Sequence, residues 1–577
     1  MSSFSSRSSS LSPAESIGKH LRWQIILALL GAALLATLLG FSAYQTTTVL
    51  VPERGGVFRE GIVGSPQYLN PLWCDSVVSD LDRDWCELIY RGLTKIDKSG
   101  RIQPEIAESW KIEADRVYTF KLKTDQYWDD GEQVTADDVL YTVRLAQNPN
   151  ASVPPELSVI WQTVTPEKLG DFEVRFTLNQ PLAPFMDYTS IGLLPAHIFA
   201  NKPINEVTSA LNMIPVGNGR FKVDQMTSDH FQLSPNPFYT GKLPYLTGLE
   251  LWFYPEYFSL FTAFNDGKLD GMSRIREQDL PTLGQRSNVQ LFSSERSEYL
   301  CVILNLRSDN VPFFKDKKVR QALLMGIDRE KLIEQIANGQ GIIANSPILP
   351  ESWAYDPDVP QYPYSPSQAI QMLEQDGWVD SNGDGIREKD GKPLQFQLLT
   401  NDSSQLRIDL IKRIAEDWKQ LGVLAVVTPV EFSGLVNDFL VPRRFDAVLL
   451  EWEITGDPDP LDLWHSSQAE GSGSNYGGWS NPQADELMEQ ARTTTDEAKR
   501  IKLYHQFQEI FADETPALLL YYPVYTYAVS SRIHNVQIDS LNRPAERFET
   551  FADWYINTRR IPANQAPANA PPTPPGS

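Results

Sequence analysis

The sequence predicts an α/β protein of several domains, carried behind one apolar N-terminal helix. Its 577 residues exceed what one core supports, since domains run to roughly 100 to 200 residues each. Helix-like and strand-like runs alternate along most of the chain without a repeat, the pattern of α/β layers. Residues 24–44, QIILALLGAALLATLLGFSAY, carry no charge, and a run of that length can cross a bilayer core as a helix. With 41% apolar and 11% aromatic residues the composition is that of a globular protein.

Residues 1–23 form a Ser-rich leader bearing Lys19 and Arg22. Basic residues on that flank place the leader in the cytoplasm and the rest of the chain outside. The apolar run reads as an uncleaved anchor or as a signal-peptide core. Its length, the lack of a following A-x-A site and of a cysteine for lipid attachment favour the anchor. At the other end, residues 562–577 are too rich in Pro and Ala to build a core and read as a disordered tail. Lys and Arg number 51 against 74 Asp and Glu, a net charge of −23. Phosphate backbones would repel such a chain, which excludes nucleic acid as a partner. Cys74, Cys86 and Cys301 show no zinc-binding spacing. Cys74 and Cys86 read either as a disulfide, in an oxidising compartment, or as buried thiols.

Between the ends, the elements follow in order. GGVFREGI alternates as an edge strand does, and VYTFKLKTDQYWDDGEQVTADDVLYTVRLAQ reads as strand, Asp-Gly turn and helix, with Thr135 and Asp138 at capping-box spacing. In KKVRQALLMGIDREKLIEQIANG, Val319, Ala322, Leu323 and Ile327 share one helical face, and Gly339 supplies a stop. LRIDLIKRIAEDWKQLG repeats the pattern with Leu406, Leu410, Ile414, Trp418 and Leu421, then turns at Gly422 into the strand VLAVVTPVE. These stripes are core positions. DSNGDGIREKDG begins like a calcium loop, with Asp380, Asn382 and Asp384 at positions 1, 3 and 5 and Gly385 at 6. Position 12, where an EF-hand needs a bidentate Glu, is Gly391. A helix precedes the stretch and a strand follows it, so it reads as a tight turn with at most weak calcium affinity.

No HExxH, G-x-S-x-G, P-loop or Rossmann glycine pattern occurs, and the six histidines are scattered. The paired acids Asp129–Asp130 and Asp137–Asp138 fit turn and capping chemistry. The expectation is a protein with no catalytic residues, no cofactor and no dedicated metal site.

Read in order, LNPL, IYRGLTKIDKSGRIQPEIAESW, YTFKLKTDQYWDDGEQVTADDVLYT, PVGNGRFKV, FNDGKLDGM, FFKDKKVRQALLMGIDREKL, LEQDGWVDSNGDGIREKDGKPLQFQLLT, EWEITGDPDPLDLW, SNYGGWSNPQADELMEQA and AKRIKLYHQFQEIFADETPALLLYY make a specific series. Together they resemble the extracellular solute-binding proteins, family 5, of peptide, nickel and oligosaccharide ABC transporters. The resemblance implies a two-lobed periplasmic-binding-protein fold (type II, large cluster C) with an inserted domain. Lobe I is expected at 51–93, 217–294 and 529–561, the inserted domain at 94–216, and lobe II at 295–528. It further implies a monomer at the periplasmic face of the inner membrane. That monomer would close on a peptide-like solute and serve permease subunits driven by separate ATPases. An oligosaccharide, a nickel chelate, or a tethered sensor or scaffold role without transport are the alternatives.

For specificity the sequence points to EWEITGDPDPLDLW. Trp452 and Trp464 offer aromatic walls, and Asp457 and Asp459 offer acids for an ammonium. The alternative is that both acids turn a loop held by Pro458 and Pro460. In relatives that bind short peptides, an aspartate three residues after the tryptophan pairs with the ligand amine. Thr455 stands at that place here. Asn70, Trp128, Asn305, Tyr476 and Trp479 are further cleft candidates, and His465 is a candidate contact for a metal chelate.

Overall fold

The structure, a computed structural model, describes residues 13–74, 80–204, 206–207, 215–539, 541 and 543–565. Most of the leader (1–12) and of the Pro/Ala tail (566–577) lie outside the described residues. The chain divides into two compact units, residues 1–56 with 555–577, and residues 57–554.

In the smaller unit, the helix Pro13–Thr47 contains the apolar run. Trp23–Thr47 is long and apolar enough to cross a membrane, with a mean hydropathy of 2.4 and no burial inside the protein. At 1.5 Å per residue it reaches about 37 Å, against ~30 Å for the hydrocarbon core. Within it, Thr37 Oγ1 donates to the carbonyls of Ala33 (2.9 Å) and Leu34 (2.8 Å). The strand Thr48–Glu53 then pairs antiparallel with Asn557–Pro562.

The larger unit is built on one long mixed sheet whose middle is the 14-residue strand Ala517–Ser530. Its sequence, ALLLYYPVYTYAVS, is apolar on both faces because both are covered, so it lacks the alternation of a half-exposed strand. The first half pairs with Glu298–Leu304 and Gly341–Ile343. The second half pairs with Val289–Glu295 and Gly271–Met272. Pro523, which has no N–H to give a ladder, lies where the partners change.

On the side of the first half, Glu298–Leu304, Ala447–Glu453, Gln395–Asn401 and Leu424–Val430 follow in order. Strand alternation splits their side chains between two cores. Leu300, Val302, Leu304 and Leu398 join the helix residues Val319, Leu323, Leu410, Ile414 and Trp418 on one face. Tyr299, Cys301, Ile303, Leu399 and Val448 meet Trp464, Trp479, Phe507 and Phe511 on the other. The helix Gln405–Lys419 is the crossover between two parallel strands, and Gly422 at φ +77° makes the turn expected of it.

On the side of the second half, Val57–Val63 lies between Gly248–Tyr254 and Gly271–Met272, parallel to both. This corrects the expectation of an edge strand, and it buries Glu60 completely. A separate antiparallel sheet, with Ala107–Glu113, Val117–Leu122, Glu173–Leu178 and Val164–Gly170 in that order, packs with the helix Ala136–Gln147 around its own core of Tyr118, Phe120, Trp161, Phe176 and Phe185. Thr135 and Asp138 form the expected capping box on that helix.

Candidate ligand-binding site

The halves of the long sheet wall a cavity of about 560 Å³, within the usual size for a small-ligand pocket. Ile62 and Val63 enter from the end of their strand, Asp80 and Arg83 from the first turns of the helix Asp80–Ile89, and Tyr257 and Leu260 from the helix Tyr257–Asn265. Arg274 holds a left-handed φ of +51°, a backbone cost seen at functional sites. From the other half come Arg296, Glu298, Arg407, Phe432, Glu451 and Glu453. Phe432 keeps 57% of its surface exposed and offers an apolar face for a ligand.

Four arginines and four acids line this cavity, and they are paired. Arg83 bonds Glu453 across it at 2.6 Å. Arg274 holds Asp80 with two donors, one at 2.8 Å, and this ion pair overcomes the effect of burial and keeps the Asp80 pKa below the usual range. Arg296 bridges Glu298 and Glu451, the latter at 3.3 Å, and Arg407 also bonds Glu451. Burial, then the neighbouring Glu451, pushes the Glu298 carboxyl up to about 9. Burial also opposes ionisation of Glu451, but its hydrogen bond with Glu298 and the guanidiniums of Arg296 and Arg407 outweigh it and bring Glu451 down to about 2. Burial and their mutual contact thus pull the two carboxyls apart, Glu298 toward its neutral form and Glu451 toward its ionised form.

The residues chosen from sequence sit elsewhere; none of the ten lines this cavity. Trp452 lies on the strand Ala447–Glu453, whose neighbours Glu451 and Glu453 face the cavity. With a side-chain period of two, the tryptophan points to the opposite face. There it stacks on Tyr476 with ring centroids 5.8 Å apart and planes 13° apart. Asp457 is clamped by Arg500 through two bonds of 2.7 and 2.5 Å. Asp459 bonds Arg492 at 2.5 Å and accepts from the N–H of Leu461. Both acids hold the D-P-D-P turn, so the loop alternative is the one the geometry favours.

Trp464 is in the core, its indole N–H donating to the Tyr299 hydroxyl at 3.3 Å. Trp479 is in the same core, and Trp128 is fully buried in the core of the separate sheet. Asn70 accepts from the N–H of Leu72, and Asn305 donates to the carbonyls of Arg443 and Phe445 while accepting from the N–H groups of Arg307 and Ser308. Each of these amides is occupied by the backbone, as buried amides must be. His465 is also buried and caps Ser467 through Nδ1.

The Asp380 turn is closed by its own hydrogen bonds. Asp380 accepts from the N–H groups of Gly383 and Gly385, Asp384 from Ile386, and Asn382 donates to Asp384 and Glu388. Asp380, Asp384 and Glu388 bring carboxylate oxygens within 4.8 Å of one another, so Glu388 is the acid that the EF-hand spacing did not find.

Cys74 and Cys86 are joined as a disulfide, with Cα atoms 6.4 Å apart, and Cys301 is free and buried. Closing a loop of this size stabilises a fold by about 3 kcal/mol. Reduction with dithiothreitol is expected to lower the urea midpoint accordingly, while the Cys301→Ser variant shows the same drop.

Two lobes on a shared strand, with a charged cavity walled by both, define a hinged receptor for a small solute. The sequence pattern of the bacterial extracellular solute-binding proteins, family 5 Middle, matches residues 101–474. The oligopeptide-binding protein AppA of Bacillus subtilis (strain 168) is 32% identical over 483 residues, covering 82% of this chain and 87% of the relative. The structure of AppA from Bacillus subtilis in complex with a nonapeptide superposes with a TM-score of 0.67 at 30% identity, covering 88% of this chain and 100% of the other. NikZ from Campylobacter jejuni, in complex with Ni(L-His), superposes with a TM-score of 0.69 at 25% identity, covering 86% and 99%. The chain belongs to the extracellular solute-binding proteins, family 5.

Proposed function

We propose that this chain is the extracytoplasmic substrate-binding component of an ABC importer, and that it captures a peptide-class solute in the cavity between its lobes. The observation that carries this reading is the cavity of about 560 Å³ lined from both halves of the sheet. A solute there touches both lobes at once, so its contacts favour the closed arrangement over the open one. Paired acids and arginines suit a ligand with both an ammonium and a carboxylate, and Phe432, Tyr257 and Leu260 suit its side chains. The relatives named for oligopeptide and dipeptide binding support the same class. Lobe I is taken as 51–93, 217–294 and 529–561, lobe II as 295–528, and the inserted domain as 94–216. The helix Trp23–Thr47 tethers the monomer to the outer face of the cytoplasmic membrane, beside permease subunits that work with separate ATPases.

A thermal-shift comparison on the full chain in detergent tests this reading, with free nonapeptides, oligosaccharides and a nickel–histidine chelate as probes. A ligand of the native state at 100 times its Kd adds about 2.7 kcal/mol of stability. Peptides are expected to raise Tm, and the Arg83→Ala variant to lose the shift. A rise with the chelate or the saccharides alone would overturn the peptide assignment.

A further inference from the structure

The Glu298–Glu451 pair is an unusual lining for a receptor cavity. Glu298 is 6% exposed; its Oε1 takes Arg296, and its Oε2 has no donor among the described residues. Two ionised carboxylates in that position would leave this buried oxygen without a partner and set like charges side by side. A proton between them removes both costs. Added positive charge in the cavity removes the second as well, because it lets both carboxylates ionise.

We propose that the ligand enters this cavity with a cationic group against the Glu298–Glu451 pair, and that binding expels the proton the two carboxyls share. This rests on the cavity being the ligand site. The ligand keeps its charge, the proton leaves Glu298 for solvent, and both carboxylates end ionised. The net charge of the cavity is the same before and after, since one cation replaces another. The groups that face the pair are fixed in charge. Arg296 flanks it, Arg407 approaches from its helix, Glu453 is tied to Arg83, and Arg274 is tied to Asp80. Tyr521 of the shared strand stays protonated, because burial pushes its phenol up.

The cation is an ammonium or guanidinium, which a peptide supplies from its N-terminus or from a basic side chain. Isothermal titration of the full chain in detergent at pH 6.5, in buffers of different ionisation enthalpy, counts released protons. The probes are an Ala/Gly nonapeptide with a free N-terminus, the same peptide N-acetylated, and the acetylated peptide with one central lysine. About one proton released with the first peptide and none on adding the second assigns the N-terminus; release with the third assigns the basic side chain. In either case the affinity tightens up to tenfold per pH unit between 5.5 and 7. In the Glu298→Gln variant, release falls to near zero and the pH slope flattens.

Binding of the free-amine and lysine peptides with neither releasing a proton overturns the proposal and leaves the peptide reading standing. If none binds, both fall. Infrared difference spectra of the ligand-free protein against the Glu298→Gln variant at pH 7 provide a check that needs no ligand. The band of a neutral carboxyl is expected, and its absence overturns the proposal whatever the peptides do.

Discussion

Replacing Arg547 by Met is expected to destabilise the protein by about 3–5 kcal/mol at pH 8, the cost of leaving buried partners of a lost charge. Arg547 is wholly buried and holds two equally buried acids. It bonds Glu60 at 2.9 Å and Asp84 at 2.7 and 2.5 Å, while the Tyr527 hydroxyl donates to Glu60 at 2.6 Å. Even with Arg547 present, burial lifts Glu60 to about 7, against the pull of the guanidinium, and Asp84 is raised for the same reason. A buried carboxyl whose pKa is raised in the folded state binds more protons there than in the unfolded chain. Stability therefore falls as pH rises, from the unfolded value of 4.5 through the folded value near 7. Without Arg547 both acids shift further in the same direction. The deficit of the variant is accordingly expected to be small near pH 4.5 and to grow toward pH 8. Urea midpoints measured across that range check the sign, and a deficit that stays constant with pH would refute the argument.

Glu60 also marks where sequence reading stops. The helical stripes around Val319, Leu323, Leu410, Ile414 and Trp418 were legible because each states its buried face within two or three turns. The capping box at Thr135 was legible because its partners are three residues apart. Glu60 sits 487 residues from Arg547, and nothing local to GGVFREGI announces that its polar positions are covered. The inward strand was therefore read as an edge.

The proposed cavity and the residues read from sequence differ for another reason. They share one segment, in which Trp452 was singled out while its neighbours Glu451 and Glu453 line the cavity. On a strand, one position is the difference between the cavity and the opposite face. Which face looks at the cavity depends on Arg296 and Glu298 of one neighbouring strand and on Asp80, Arg83 and Arg274 of the other lobe. The family resemblance carried the fold and the solute-binding class, because those rest on many short segments in one order. The pairing of individual acids rests on distances that order does not encode.

Asp457 illustrates the consequence for experiment. The Asp457→Ala variant, which ligand-based reading would use to abolish binding, is expected to act on stability instead. Arg500 keeps only 7% of its side chain exposed and is held between Asp457 and the Tyr504 hydroxyl, with Trp353 against its face. Removing the carboxylate strands a buried guanidinium, at a cost of about 3–5 kcal/mol. The loop itself retains one anchor, because the backbone N–H of Asp457, which donates to Asp187 at 2.6 Å, survives the substitution. Local closure against the separate sheet is thus preserved while the global midpoint drops. The double variant Asp457→Ala/Arg500→Met should recover part of the loss, since it removes the stranded charge along with its partner. Peptide added to the single variant at 100 times Kd should give the same increment in stability as in the parent, about 2.7 kcal/mol. An increment that vanishes while the midpoint stays put would instead make Asp457 a ligand contact and return the site to the D-P-D-P loop.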